Sequence, residues 1–327
     1  SILFSLFFSL ASSLAHECGI SNPIEEQEVD GLPPLGKWPW QVYVRTPDLL
    51  CGGTIIAERW ILTAAHCFED QFKGKTFDQI PLIRAGVVNI EEATKDDFQY
   101  KNVYGVKQIN IHAEYDAVTV KNDIAILELE RSINYSKTIA PICIAAADQD
   151  VNIDQEAWLT GFGAYLDDAT GELVKYTSNV LRETKIPLSR HTKCKSDWDE
   201  TDVDKVICAG SQGIGAGKGD SGGPLMLQSM DGAWYQVGIV SFGEDDIKIV
   251  NDHTIGAYTS VGHYCKWIEQ ATRGEAKCVE KEVEMKLLPE EEREKENTEF
   301  VKNEKTEDGE DEEDDDEEDE SEKKETD

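Results

Sequence analysis

Three short segments of the chain carry side chains that in combination could do acyl-transfer chemistry. They are Thr63-Ala64-Ala65-His66-Cys67, Asn122-Asp123-Ile124-Ala125-Ile126-Leu127 and Gly219-Asp220-Ser221-Gly222-Gly223-Pro224. In each, a polar residue sits among apolar or glycine neighbours that would otherwise suit it poorly. A serine hydroxyl is a weak nucleophile until a base takes its proton, and an imidazole base needs an acceptor on its other nitrogen to fix its tautomer. These segments supply all three groups. Taken singly, each has a plainer explanation: a packed or surface histidine, a turn aspartate ahead of an apolar strand, a glycine loop. Their joint occurrence in the order His, Asp, Ser is far more specific.

Groups so distant along a chain must be held by a rigid scaffold, and the sequence predicts one made of strands. From about Pro39 to Tyr258, short β-rich runs such as Gln41-Val42-Tyr43-Val44-Arg45, Trp60-Ile61-Leu62, Leu225-Met226-Leu227 and Val237-Gly238-Ile239-Val240 alternate with Gly, Pro and charged turns. Val261, Tyr264, Cys265 and Ile268 recur at helical spacing and predict one amphipathic helix closing an all-β domain. No tandem repeat is visible.

Composition bounds the rest. With 327 residues, 39% of them apolar, the chain can bury a substantial core. Its formal charge is −34, and residues 279–327 alone hold 26 Asp/Glu against 8 Lys/Arg. The run Glu310 to Glu320 is acidic throughout, so a disordered tail is predicted over 275–327. Such charge repels phosphate backbones and anionic headgroups, which argues against nucleic-acid and membrane partners and leaves cationic ones open. At the other end, the apolar stretch from Ile2 closes on Ser13-Leu14-Ala15, predicting a signal peptide over 1–15 cut before His16. It falls short of the ~20 residues of a spanning helix. No Met stands at position 1, so the first residues of the leader are read as missing. Eight cysteines then suit a secreted, oxidising setting; none forms a Cys-x-x-Cys zinc motif, and on the order of 100 pairings are open to them.

With these segments, the chain from roughly Pro39 to Gln270 resembles the trypsin/chymotrypsin-like serine protease family. The resemblance implies two six-stranded antiparallel β-barrels with the site in the cleft between them, and a C-terminal helix. It implies His66 as general base and then acid, Asp123 as its orienting carboxylate, and Ser221 as the acylated nucleophile. The N–H groups of Gly219 and Ser221 would form the oxyanion hole. Ser241 would support the buried Asp123, and Gly243 would offer backbone groups to an extended peptide. Gly215 would form the base of the specificity pocket, with Gly243 and Gly256 at its sides. A neutral pocket of this kind favours apolar or aromatic side chains. Implied partners are a peptide or protein substrate, protein inhibitors and an activating protease; no cofactor or metal is implied. The resemblance also pairs Cys51 with Cys67, Cys194 with Cys208, and Cys18 with Cys143. Cys265 and Cys278 remain, either bonded to each other, free, or linked to another chain. The resulting domains are the leader 1–15, a light-chain remnant 16–28, the protease domain 29–274 and the tail 275–327.

Several positions depart from the family pattern. Ala157 stands where a Cys is usual, with no Cys from Leu227 to Val237; Gly217 replaces another, and its partner near Asp245 or Asp246 is absent too. No Lys or Arg occurs from Ser1 to Gly36, so the usual tryptic activation cut cannot occur. A cut after Glu28 is expected instead, freeing the Val29 ammonium to pair with Asp220. Val87 replaces the first Glu of calcium-binding relatives, so no metal is expected. Lys218, beside the oxyanion hole, is a solvated lysine or a point of tolerance for acidic substrates. Asn134-Tyr135-Ser136 is a glycosylation sequon. His112 takes no catalytic role. Competing functions are a zymogen-like, non-enzymatic binding protein on the same fold, and an acidic tail acting as a cation buffer or chaperone-like segment.

Overall fold

The computed structural model describes residues 18–24, 32–46, 49–69, 81–91, 102–146, 151, 153–166, 173–174, 177–189, 205–211, 214–243, 255–279 and 284–293. The leader, the Glu28–Val29 bond, Cys194, Asp245, Asp246 and the acidic run lie outside the described residues.

Six strands close into the first barrel. They are β1 (Gln41–Arg45), β2 (Leu50–Ala57), β3 (Trp60–Thr63), β4 (Leu82–Ala85), β5 (Val103–Ile111) and β6 (Ala125–Leu129), hydrogen-bonded in the order β1-β2-β3-β6-β5-β4. Their inward residues, among them Val42, Val44, Ile61, Ile83, Tyr104 and Ile126, fill the interior.

The second half is built from β7 (Cys143–Ala145), β8 (Ala157–Gly161), β11 (Arg182–Ile186), β12 (Leu188–Ser189), β13 (Val206–Ala209), β14 (Pro224–Gln228), β15 (Trp234–Phe242) and β16 (Gly256–Ser260), with a separate hairpin of β9 (Tyr165–Leu166) and β10 (Leu173–Val174). The main path runs β11-β8-β14-β15-β16-β13-β12. Its two ends, β11 and β12, are one extended stretch interrupted only at Pro187, which has no N–H to give a ladder. The sheet therefore curls until its ends belong to the same piece of chain, giving a curled half-barrel where a second six-stranded barrel was expected. A 3-10 turn at Val261–Tyr264 and the helix α1 (Cys265–Ala271) follow, as the sequence predicts. Among the described residues no helix is long and apolar enough to cross a membrane.

The two halves dock through buried polar pairs and a tryptophan cluster. Thr54 Oγ1 donates to Gln236 Oε1 at 2.6 Å, and Thr160 Oγ1 to Gln41 Oε1 at 2.7 Å. Trp38, Trp40, Trp158 and Trp234 pack with ring centroids 4.6–6.5 Å apart. Disulfides join Cys18 to Cys143, Cys51 to Cys67, and Cys265 to Cys278, which decides between the alternatives for the last pair. Cys208 is also disulfide-bonded.

The ordered chain continues past Gly274. The short strand β17 (Cys278–Val279) pairs in parallel with β7. Residues 284–287 then form a strap: Met230 N–H donates to Glu284 O, Lys286 N–H to Gln228 O, and Glu156 N–H to Lys286 O. The strap thus laces the start of β8 to the end of β14. Directly beneath it Ala157 and Leu227 are cross-strand partners, at the place where the family pattern has a disulfide. Met285, 4% exposed, packs into the same apolar cluster as both. Non-covalent burial thus occupies the site of the missing bond. From Leu288 onward the chain belongs to a second unit, in which the N–H groups of Glu292 and Arg293 close a helical turn on Pro289 O.

Glu128 on β6 is buried yet ionised. Arg273 Nη2 reaches it at 2.8 Å, Lys107 Nζ at 2.7 Å and Arg59 Nη2 at 3.6 Å. The hydrogen bonds from Arg273 and Lys107 hold its pKa at about 2, below the ordinary 4.5. A depressed carboxylate contributes stability above its unfolded pKa and loses it as pH falls.

Two outcomes are expected. Met285→Ala costs about 2–4 kcal/mol, read as a lower urea midpoint at unchanged slope; an unchanged midpoint would mean that the strap adds nothing. Stability also declines from about pH 4.5 towards 2, and Glu128→Gln flattens that acid limb in urea titrations at stepped pH.

Candidate active site

The strand pairing brings His66 and Asp123 to one rim of the first barrel. β3 and β6 are antiparallel neighbours with Thr63 opposite Ala125, so the chain leaving β3 and the chain entering β6 lie side by side. His66 opens the 3-10 turn His66–Phe68 just after β3, pinned to β2 by the Cys51–Cys67 bond. Asp123 lies two residues before β6. From the second half, the loop Gly219 to Gly223 leads into β14 and crosses to the first barrel through Gly52 N–H, which donates to Ser221 O at 2.7 Å. Gly222 makes this approach possible: at φ +79°, a Cβ there would lie 2.2 Å from Thr63 Oγ1 and 2.6 Å from Gly52 O.

Asp123 is the centre of the arrangement, and its side chain is wholly buried. Its Oδ1 accepts His66 N–H at 2.8 Å, and its Oδ2 accepts both His66 Nδ1–H at 2.8 Å and Ser241 Oγ–H at 2.5 Å. An ionised carboxylate can only accept, which places the imidazole proton on Nδ1 and leaves Nε2 as the basic nitrogen. Ser241 reaches Asp123 from a β-bulge. Along β15, Val240 pairs with Tyr258 and Phe242 with Ala257, so Ser241 is the extra residue and is turned towards the first barrel. Thr259 Oγ1 adds a bond to the Asp123 carbonyl at 3.0 Å. The His66 side chain keeps 24% exposure. Burial opposes its charged form, but the charge and hydrogen bond of Asp123, with the charge of Glu69, outweigh that, and its pKa is raised above the usual 6.5.

Ser221 sits against the same disulfide as His66. Cys67 Sγ lies 4.0 Å from His66 Nε2 and 3.8 Å from Ser221 O. Both sulfurs beside His66 are in a disulfide, which leaves no thiolate for a metal. Among the described residues, no hydrogen bond joins Ser221 Oγ to His66 Nε2, and neither Gly219 N–H nor Ser221 N–H donates to an acceptor. Gly219 has φ +107°, a conformation that glycine adopts freely.

Asp220 is also buried. Its carboxylate accepts Gly163 N–H at 2.7 Å and Gly217 N–H at 2.8 Å. Burial pushes its pKa up to about 6, against the pull of those two N–H groups. Gly161 and Gly163 leave room for it, since a Cβ at either would lie within 2.5 Å of its carboxylate. A Cβ at Gly217 would lie 1.9 Å from Ala164 O, so at this position, where the family pattern has a Cys, the backbone leans too close for any side chain.

Gly215 lines a cavity of about 350 Å³ with Asp220, Gly161, Tyr165 and Arg182. Gly243 and Gly256 face each other, a Cβ on Gly243 falling 3.7 Å from Gly256 Cα. Behind Gly256 stands Tyr258, fully buried, its hydroxyl close to the Ala216 backbone and with no acceptor for its proton among the described residues. Neither Tyr258 nor Thr259 has a sequence signal pointing to it; both are reached only through the register of β15 and β16. The His112 ring packs on Tyr264 and Trp267 at 5.4 and 5.2 Å, as befits a structural role. Asn134 and Lys218 are exposed.

Gly217→Ala is expected to push the loop off Ala164, misalign Asp220 and the following N–H groups, and lower kcat/KM towards the ~10²-fold loss of an oxyanion donor. A folded variant of wild-type rate would show that the loop accommodates a side chain.

A sequence model of the family described as Trypsin matches residues 32–268. Coagulation factor XI of Bos taurus is 35% identical over 246 residues, 73% of this chain and 36% of that protein; the chain thus spans about a third of that relative's length. Family match, barrel architecture and the buried His66–Asp123–Ser241 array agree, and the chain belongs to the trypsin-like serine protease family.

Proposed function

We propose that this protein is a secreted serine endopeptidase acting through an acyl-enzyme. Ser221 attacks the scissile carbonyl, His66 Nε2 takes its proton and later returns it to the leaving amine, and Asp123 holds the imidazole in the required tautomer. The N–H groups of Gly219 and Ser221 receive the developing oxyanion, and Gly243 pairs with the extended peptide. The observation that supports this best is the Asp123 carboxylate itself, buried and saturated by His66 and Ser241. The chain's one expected glycan sits on Asn134, which is exposed.

The preferred substrate residue is apolar or aromatic, because Gly215, Gly243 and Gly256 bring no charge to the pocket. Activation follows a cut after Glu28, whose product, the Val29 ammonium, pairs with Asp220. An adjacent cation would lower the raised pKa of Asp220 and keep it ionised at neutral pH. The alternative, a non-enzymatic binding protein, draws on the absence of Lys and Arg before Lys37.

A fluorophosphonate probe is expected to label Ser221 in fully processed protein; absence of labelling favours the binding protein. Edman sequencing is expected to find Val29 at the mature N-terminus, and a uniform start at His16 would reject this activation route. Asp123→Asn is expected to lower kcat by about 10⁴-fold and to move the acid limb of kcat/KM to lower pH, because His66 loses the charge that raises its pKa.

A further inference from the structure

Immediately before Asp123, the backbone does something unusual. Asn122 has φ +55°, in the left-handed region that non-glycine residues seldom occupy and asparagine tolerates best. Its carbonyl accepts Ile124 N–H at 2.8 Å, so Asp123 sits at the apex of a three-residue turn. The direction in which Asp123 projects is therefore set by the conformation of Asn122.

The Asn122 side chain is fastened on three sides. Its Nδ2 donates to Glu114 O at 2.9 Å, in the loop that leads from β5. Its Oδ1 accepts Tyr264 O–H at 3.1 Å, from the 3-10 turn before α1, and Lys205 Nζ at 3.3 Å, just ahead of β13. One amide thus ties the first barrel, the second sheet and the C-terminal turn to the residue next to the relay carboxylate. An apolar residue there would lose all three bonds, and a β-branched one would strain the turn as well.

We infer that Asn122 is a positioning residue for the proton relay, locking the turn that aims the Asp123 carboxylate at His66 Nδ1. It touches neither substrate nor reacting atoms and acts only through Asp123. The inference rests on the proposed Ser221–His66–Asp123 relay for its link to catalysis, but its effect on His66 is measurable without turnover. The groups that face this relay are Asp123 and Glu69 towards His66, Tyr115 and Ser241 towards Asp123, and Lys205, His112 and Glu114 around Asn122.

The test compares the full-length wild type with Asn122→Gly, which keeps the backbone angle and removes the tether, and with Tyr264→Phe, which removes one donor. In Asn122→Gly, NMR titration of the His66 imidazole is expected to show a pKa lower by about half a pH unit. kcat falls about 10-fold at constant KM. Tyr264→Phe shifts both in the same direction by less, and the double variant is no worse than Asn122→Gly alone, because the two share one contact. A folded Asn122→Gly or Tyr264→Phe protein in which His66 titrates as in the wild type overturns the inference, even if thermal stability drops. Failure of the probe to label Ser221 overturns the endopeptidase proposal and leaves the His66 titration to judge Asn122 by itself.

Discussion

A carboxylate taken wholly out of water must be met by donors, or it protonates or the fold gives way. Asp123 is such a carboxylate, and its donors cannot come from its own strand. Two come from His66, beside it on the first barrel, and one from Ser241, on the second sheet. The docking of the two halves is therefore what brings Ser241 onto the Asp123 carboxylate. The polar pairs Thr54–Gln236 and Thr160–Gln41 deepen the same seam.

Two buried carboxylates, Asp123 facing the Ser221 loop and Asp220 within it, are treated differently. Asp123 has three strong donors and sits beside an imidazole able to take positive charge. Asp220 has only two backbone N–H groups, and burial drives its pKa towards neutrality. One is balanced as folded, while the other is left short of positive charge at the point where an ammonium would relieve it. That asymmetry leaves Asp220 held by the N–H groups of Gly163 and Gly217 alone among the described residues.

The His66–Asp123 contact is legible in the sequence because the acyl-transfer chemistry read from it calls for these residue types, and local strings mark their places. The strands were legible because apolar runs between Gly and Pro punctuate most of the chain. Other features depend on register and escaped. The family resemblance points to Ser241, but the bulge that turns it to Asp123 follows from no spacing rule. Gly217 reads as a lost cysteine, whereas its contact with Ala164 O shows a backbone with no space for one. Residues 275–327 read as a charged, disordered tail, and Met285 escaped notice among the Glu and Lys residues around it. Its burial against the cluster of Ala157 and Leu227 is seen only in the assembled sheet.

The strap also bears on how the protein is made. Translation delivers residues in order, and the segment that finishes the second sheet emerges after nearly every other part of it. Until Leu287 has left the ribosomal tunnel, the outer margin of β8 and the tip of the β14–β15 hairpin have no cover, and β7 lacks its partner β17. The second sheet can therefore close its border over β8 and β14 only after residues 284–287 have been made.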